Sequence, residues 1–216
     1  DHRDLHSFPT RRSSDLPYNA GRLVNLSILT EIVAPGGTFS LGTVVGGAGT
    51  TGAKPVLIRA AGPALAPLGV ANPLSDPRLE AYLGATKVGE NDNWGGGPAL
   101  AAAFAQVGAF GFAADSRDAA IFNPAVTAGN NSLRVSGVGA ATGRVIAELY
   151  EATPPPAFAL TTPRLVNVSV LKEVGDGFTL GFVIGGDSAP TVLIRAVGPG
   201  LRSEEHTSEL QSLTNL

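Results

Sequence analysis

The chain has 216 residues, no cysteine and a formal net charge of −3, with 28 glycines and 16 prolines. The absence of cysteine excludes a disulfide framework and a thiolate metal site, and without a clustered basic face the sequence gives no sign of a nucleic-acid partner. No apolar run approaches the ~20 residues of a membrane span. Only 15% of the residues are charged, and this composition is typical of many short strands joined by turns.

The two ends of the chain differ from its interior. Residues 1–16 resemble the frame translation of a short-read sequencing adapter, and residues 202–216 resemble the opposite adapter. We therefore expect neither end to be native and residues 17–201 to be the biological segment. The ends hold four of the 15 Lys and Arg and six of the 18 Asp and Glu. The interior therefore carries 11 basic and 12 acidic residues, a net charge of −1.

The same ends contain all three histidines, and the interior has neither histidine nor methionine. Nucleophilic catalysis needs a base beside a serine or threonine, and no spacing in the interior indicates a Ser-Lys pair. Carboxylate pairs for glycoside hydrolysis could be drawn from Glu80, Glu90 and Asp92, but any β protein offers as many. We expect no enzymatic activity in this segment.

Alternating apolar side chains predict the first strands in chain order. Residues 24–28 alternate with a period of two, and so do residues 78–83 and 144–150, which indicates strands with one buried face. Residues 56–58 form a short continuous apolar run, as expected of a central strand covered on both faces.

One segment has helical periodicity instead. After Gly97 and Pro98, the apolar residues Leu100, Phe104 and Val107 fall at i, i+4 and i+7. A proline at the first helical position and an apolar stripe predict a short helix packed on a sheet. The fold class that follows is an all-β antiparallel sandwich, jelly-roll-like, with one short helix.

An internal repeat is the strongest signal in the interior. The offset between the copies falls from 142 to 139 to 136 residues, as expected if strands are kept and loops shorten. The three repeated blocks are residues 22–31 and 164–173, 39–42 and 178–181, and 56–65 and 192–201. We expect a sandwich module at 17–152 and a truncated second copy at 164–201.

The segment between the copies, residues 153–163, is rich in proline. Prolines favour an extended and stiff connection. We interpret this segment as a linker between neighbouring modules.

A glycine-rich segment, residues 47–52, fits the G-x-G-x-x-G pattern of dinucleotide-binding proteins. There the pattern follows a strand and opens a helix, whereas here Lys54, Pro55 and an apolar strand follow. The equivalent part of the second copy lacks the pattern. We expect a glycine-rich hairpin loop and no cofactor site.

The richest polar cluster is residues 90–97, Glu-Asn-Asp-Asn-Trp-Gly-Gly-Gly. One interpretation is a structured loop, because Asn and Asp turn the backbone and Trp94 can fold onto the edge of the core. A second is a calcium site with Asn91 and Asp92 among its ligands, because hard cations bind several carboxylate and amide oxygens. A third is ligand binding by an exposed Trp94.

Four motifs occur in order along the interior: Arg-Leu-Val-Asn-Leu-Ser, Val-Leu-Ile-Arg-Ala-x-Gly-Pro, Asn-Asp-Asn-Trp-Gly-Gly and Val-Ser-Gly-Val-Gly-x-x-Thr-Gly. With them the chain resembles a repeat module of large secreted proteins of environmental bacteria, especially verrucomicrobial ones. The resemblance implies an extracellular or cell-surface location, a structural or adhesion role, and neighbouring modules of the same chain as partners.

Residues 76–151 are also similar to the bacterial pre-peptidase C-terminal domain, a β-sandwich appended to secreted hydrolases. Some members of that family bind calcium or polymeric substrates, and by resemblance this property passes to Asn91 and Asp92 only. The alternative function that the resemblance implies is an accessory module of a secreted hydrolase that is calcium-dependent or binds carbohydrate or protein. Pro124 departs from the family pattern, and a proline there predicts an edge strand or a bulge.

Overall fold

The structure, a computed structural model, describes residues 20–174 and 177–198. The adapter-like segments 1–16 and 202–216 lie outside the described residues, as do the first residues of the expected module and the last of the second copy. Ten strands, one α-helix and three short 3₁₀ segments are present in the described ranges.

The strands are β1 Arg22–Ile32, β2 Thr38–Gly46, β3 Ala53–Ala61, β4 Pro77–Leu83, β5 Thr86–Asn91, β6 Ala119–Thr127, β7 Gly129–Gly137, β8 Gly143–Glu151, β9 Arg164–Leu171 and β10 Thr179–Gly185. The helix α1 is Pro98–Val107, and the 3₁₀ segments are Pro63–Leu68, Val138–Ala140 and Pro155–Ala157.

Two five-stranded antiparallel sheets form the sandwich. The first sheet has the order β10-β1-β8-β3-β6 and the second has the order β5-β4-β7-β2-β9. Strands β1 to β8 alone give the order of a jelly roll, in which the chain passes repeatedly from one sheet to the other. The predicted all-β sandwich with one short helix is confirmed.

Alternating side chains of both sheets fill the space between them. The buried residues of this inner core come from every strand of the first module except β5, and one comes from the second copy. They include Leu26, Ile28, Phe39, Leu41, Val45, Val56, Ile58, Leu79, Leu133, Val135, Val145, Leu149 and Leu165. The period of two in the sequence therefore identified the inward face correctly for β1, β4 and β8.

A second cluster covers the outer face of the first sheet. Leu57 points outward from β3, whereas its neighbours Val56 and Ile58 belong to the inner core. Phe104 of α1, together with Trp94 and Phe112 from the flanking loops, packs in this outer cluster. Strand β3 is thus covered on both faces, as its continuous apolar run predicts.

Strand β6 lies at the edge of the first sheet. Its pairing with β3 is interrupted between Lys54 and Val56, opposite the segment that contains Pro124. A proline cannot donate to the ladder, so it is tolerated at an edge or a bulge, and here it occupies both. The position predicted from Pro124 is confirmed.

Candidate module interface

The strands of the second copy lie at the edges of the two sheets that the first copy forms. Strand β9 pairs with β2 in the second sheet, and strand β10 pairs with β1 in the first sheet, both antiparallel. Leu165 of β9 is buried in the inner core, and Val168 and Val170 pack against it. The described part of the second copy therefore adds to the first sandwich.

The two junctions, β1 with β10 and β2 with β9, have the same register: each residue pair in one corresponds to a pair in the other in which the two copies have changed places. Strand β9 repeats the sequence of β1 at an offset of 142, and β10 repeats β2 at an offset of 139. Arg22 lies opposite Gly185, and at the equivalent positions Arg164 lies opposite Gly46. The remaining pairs correspond in the same way, including the register shift that interrupts each ladder near this end. The two strand pairs thus have the pairing that a pseudo-twofold axis between the copies would produce.

A serine faces a glycine at the middle of each junction. Ser27 lies opposite Gly181, and Ser169 lies opposite Gly42. A Cβ atom added to Gly42 would lie 2.7 Å from the Ser169 Oγ atom, and one added to Gly181 would lie 3.2 Å from the Ser27 Oγ atom. The glycines therefore leave the room that the serine side chains occupy.

The segment between the copies is fixed to the sandwich at several points. The Lys54 Nζ atom donates a hydrogen bond of 2.7 Å to the Pro163 carbonyl, and the Thr51 N–H donates to the Thr161 carbonyl at 2.9 Å. Phe158 is buried, and the Arg22 guanidinium lies 3.8 Å from the centre of its ring. The segment thus contacts the first copy at several points along its length.

A buried ion cluster closes this end of the core. Glu151 accepts from the Arg22 Nε atom at 2.9 Å, and the Lys54 Nζ atom lies 3.2 Å from its other oxygen. Burial raises the pKa of the Glu151 carboxyl, but hydrogen bonds from Thr153 and Arg22 and the charge of Lys54 outweigh this effect and leave the pKa below 4.5. Burial lowers the pKa of Lys54 by more than Glu151 raises it.

Because of Glu151, we expect the chain to lose stability at acidic pH. Because its pKa is lowered in the folded state, it contributes stability above pH 4.5 that is lost as the pH falls through the folded-state pKa. We expect the difference in free energy of unfolding between the native chain and Glu151→Gln to shrink steadily below pH 4.5. Urea titrations between pH 3 and pH 7 measure it; a difference that stays constant over that range would contradict the expectation.

A second buried ion pair lies on the outer face of the first sheet. Arg59 is fully buried, and its Nε atom donates to Glu148 at 2.8 Å. Its guanidinium lies within 4.6 Å of the ring centres of Phe104, Phe110 and Phe112 and donates to the Phe110 carbonyl. These contacts join the helix and its flanking loop to β3 and β8.

Tyr150 extends this pair on β8. Its hydroxyl donates to the Glu148 carboxylate at 2.7 Å. Burial and the neighbouring Glu148 charge raise the pKa of Tyr150 far above its usual value, so the hydroxyl stays protonated and remains a donor.

The sequence interpretation missed these buried charges, although the strand pattern contained a signal for them. Glu151 falls on the same alternation as Val145 and Leu149, and Lys54 falls on that of Val56. A charged residue on the inward face of a strand needs a partner of opposite charge. The alternation shows that Lys54 and Glu151 both face inward. That they lie next to each other follows only from the pairing of β3 with β8, which the sequence does not show.

The polar loop after β5 is held by its own hydrogen bonds. The Asn91 Oδ1 atom accepts from the Ala120 N–H at 2.9 Å, and its Nδ2 atom donates to the Asn93 carbonyl. Asp92 is exposed and accepts from the Asn93 side chain, while Glu90 pairs with Arg78 and Lys87. Within 20–174 and 177–198, no group of three or more His, Cys, Asp or Glu could hold a metal ion. Calcium binding at Asn91 and Asp92 stays a prediction.

Trp94 lies in the outer cluster and is 7% exposed. Its ring packs against Phe104 and Phe112, with centre distances of 5.4 and 6.0 Å, and its Nε1 atom donates to the Ala113 carbonyl. In this conformation the ring is buried against other aromatic side chains, so a ligand would have to displace them. Ligand binding by Trp94 likewise stays a prediction.

The glycine-rich segment 47–52 connects β2 of the second sheet to β3 of the first. Because these strands do not pair with each other, the expected hairpin is wrong, and the loop instead spans the two sheets. Thr50 closes a turn by donating from its N–H and its hydroxyl to the Gly47 carbonyl. The strand β3 follows directly, and no helix begins there.

Comparisons with protein-family models, with curated proteins and with solved structures found no match for this chain. Among the residues that the structure describes, no helix has the length and apolar character required to span a membrane.

Proposed function

We propose that the chain is a non-catalytic structural or adhesion repeat of a large extracellular or cell-surface protein, whose neighbouring modules are its partners. The observation that carries this proposal is the equivalent register of the two junctions, β1 with β10 and β2 with β9. At each junction each copy supplies one strand, so the repeated sequence itself forms the contact between copies.

The contacts of the connecting segment with the core support a role as a structural spacer. Lys54 and Arg22 both contact the connecting segment and both pair with Glu151, so the segment is tied to the core through buried charges. A rigid spacer needs a defined angle between its modules, and tethered backbone gives one where a flexible linker does not.

Glu80 and Glu90, two of the carboxylates considered for glycoside hydrolysis, are engaged in structural contacts, and so is Asp118. Glu80 and Glu90 pair with Lys87, and Glu90 also pairs with Arg78. Asp118 is buried and accepts hydrogen bonds from the backbone of Gly62 and Ala64. These contacts give the three carboxylates a structural role that requires no catalytic function.

Thermal melting with and without calcium separates this role from the alternative, a calcium-dependent accessory module. We expect calcium to shift the Tm of the chain by less than about 2 °C, and Asp92→Ala to change it by a similarly small amount, because Asp92 is exposed. Asp115→Ala, at another exposed aspartate, is the matched control.

A screen against polysaccharides and extracellular-matrix proteins completes the test. A large calcium shift that Asp92→Ala removes would reject the structural or adhesion role in favour of the accessory module. Saturable binding that needs no calcium would favour adhesion over a purely structural role. Labelling of intact producing cells with an antibody against the module tests the surface location; label that appears only after lysis would count against it.

A further inference from the structure

We propose that two complete copies of this module pair about a pseudo-twofold axis, so that each sheet of one copy continues into a sheet of the other. The inference rests on the proposed structural role and names the partner: a second copy of the module. Its starting point is that β1 and β2 each have neighbours on both sides, whereas the equivalent strands β9 and β10 each have one neighbour in the described ranges.

The pseudosymmetry identifies the strands that would complete the second copy. Strand β1 lies between β10 and β8, so β9, its equivalent, should lie between β2 and an equivalent of β8. Strand β2 lies between β9 and β7, so β10 should lie between β1 and an equivalent of β7. Each four-stranded sheet of one copy would then join a four-stranded sheet of the other through an antiparallel ladder.

Apolar residues of the second copy are exposed where the proposed further strands would cover them. Phe178 and Leu180 are 39% and 38% exposed, whereas their equivalents Phe39 and Leu41 are 2% and 1% exposed in the inner core. The segment 192–194 is exposed and pairs with no strand in the described ranges, whereas its equivalent, 56–58, is buried in β3. These positions carry core side chains without the sheets that cover them in the first copy.

Arg164 provides an independent electrostatic indication. Its Nε atom is buried and has no hydrogen-bond acceptor among the residues that the structure describes. The equivalent atom of Arg22 donates to Glu151 at the end of β8. The carboxylate that Arg164 lacks is therefore the equivalent of Glu151, on the same β8-like strand that the sheet order requires.

The pairing is closed. Each copy uses its β1 edge and its β2 edge once, and the partner uses the same two edges, which defines an isologous interface. After two copies have paired, neither retains a free β1 or β2 edge. A third copy must therefore pair with a fourth, and modules of this type associate two by two.

Paired cysteines in a completed chain test the proposal. The chain is continued after Leu201 with its own residues 66–152, and two variants are made in it: Ser27→Cys with Gly181→Cys, and Gly42→Cys with Ser169→Cys. Directly opposed residues are close enough for a disulfide, and the chain has no cysteine of its own. Ser27→Cys with Gly42→Cys is the mismatched control, because β1 and β2 lie in different sheets.

We expect both matched pairs to cross-link within one chain and the control to remain reduced. Arg164→Met should lower the Tm by at least about 6 °C in the continued chain, where a carboxylate is restored, and by less than about 2 °C in the 216-residue chain. A folded, cooperatively melting continued chain that forms neither disulfide would overturn the pairing and leave separate modules on a linker.

If the continuation prevents folding, residues 66–152 are added as a separate polypeptide to the 216-residue chain. Saturable binding that Arg164→Met weakens at least about tenfold supports the proposal, and absence of binding overturns it. The result is distinguishable from failure of the proposed function itself, because calcium binding at Asp92 would reject that function without changing the cross-links.

Discussion

Replacing Glu151 with alanine lowers the free energy of unfolding by about 3–5 kcal/mol, because Arg22 and Lys54 then remain buried without a counter-charge. The same substitution removes the acceptor for the Thr153 N–H, so the start of the connecting segment loses an anchor as well. Urea unfolding at pH 7, followed by circular dichroism, measures the change.

A matched control and a rescue variant separate the charge effect from general damage. Glu90→Ala removes a carboxylate with the same number of basic partners at an exposed site and should leave the midpoint almost unchanged. Glu151→Leu combined with Lys54→Met should recover part of the loss, because apolar residues of similar size tolerate burial better than unpaired charge. Equal losses for Glu151→Ala and Glu90→Ala would show that the buried cluster contributes nothing special.

Arg59→Ala is the second substitution with a large expected effect, again about 3–5 kcal/mol. It leaves Glu148 buried without its cation and removes the side chain against which Phe104, Phe110 and Phe112 pack. The loss should appear in near-ultraviolet circular dichroism as well as in the unfolding midpoint, because the aromatic cluster loses its centre.

Two further variants divide the Arg59 effect into packing and charge. Arg59→Met keeps apolar volume among the phenylalanines and should retain most of the near-ultraviolet signal, while it still destabilises the chain through unpaired Glu148. Arg78→Ala, at an exposed arginine that pairs with Glu90, is the control and should cause little change. An Arg59→Ala variant as stable as Arg78→Ala would refute the role assigned to the pair.

The sandwich was predictable because its inward side chains alternate along the strands. Leu26, Ile28, Val145 and Leu149 lie inward as the period of two indicates, and Pro98 begins the predicted helix. Leu83 falls on the same alternation in β4 but is exposed, because it ends the strand beside the turn at Gly84. Local pattern thus identified elements and faces, with errors at their ends.

The contact between copies was not predictable from those patterns. The repeat predicted two modules and a linker, and nothing in the alternation of residues 164–171 indicates that this strand pairs with β2. Strand pairing between distant segments depends on tertiary geometry, and so do the partners of Lys54 and Arg59. The repeat did contain one usable clue: Ser27 and Gly42 recur together as Ser169 and Gly181, and these are the residues that face each other.

The sheet edges that stay exposed after two modules have paired affect how readily the protein aggregates. A bare β-sheet edge can template pairing with other chains, and a protein built from near-identical modules holds such edges at high local concentration. Pairing would remove the β1 and β2 edges of each module, and the remaining outer strands are β5, which carries Lys87, and β6, which carries Pro124. Lysine and proline are residues that discourage edge-to-edge association. An even number of modules would therefore present only protected edges to the solvent. An odd number would leave the β1 edge and the β2 edge of one module unpaired and open to association with other chains.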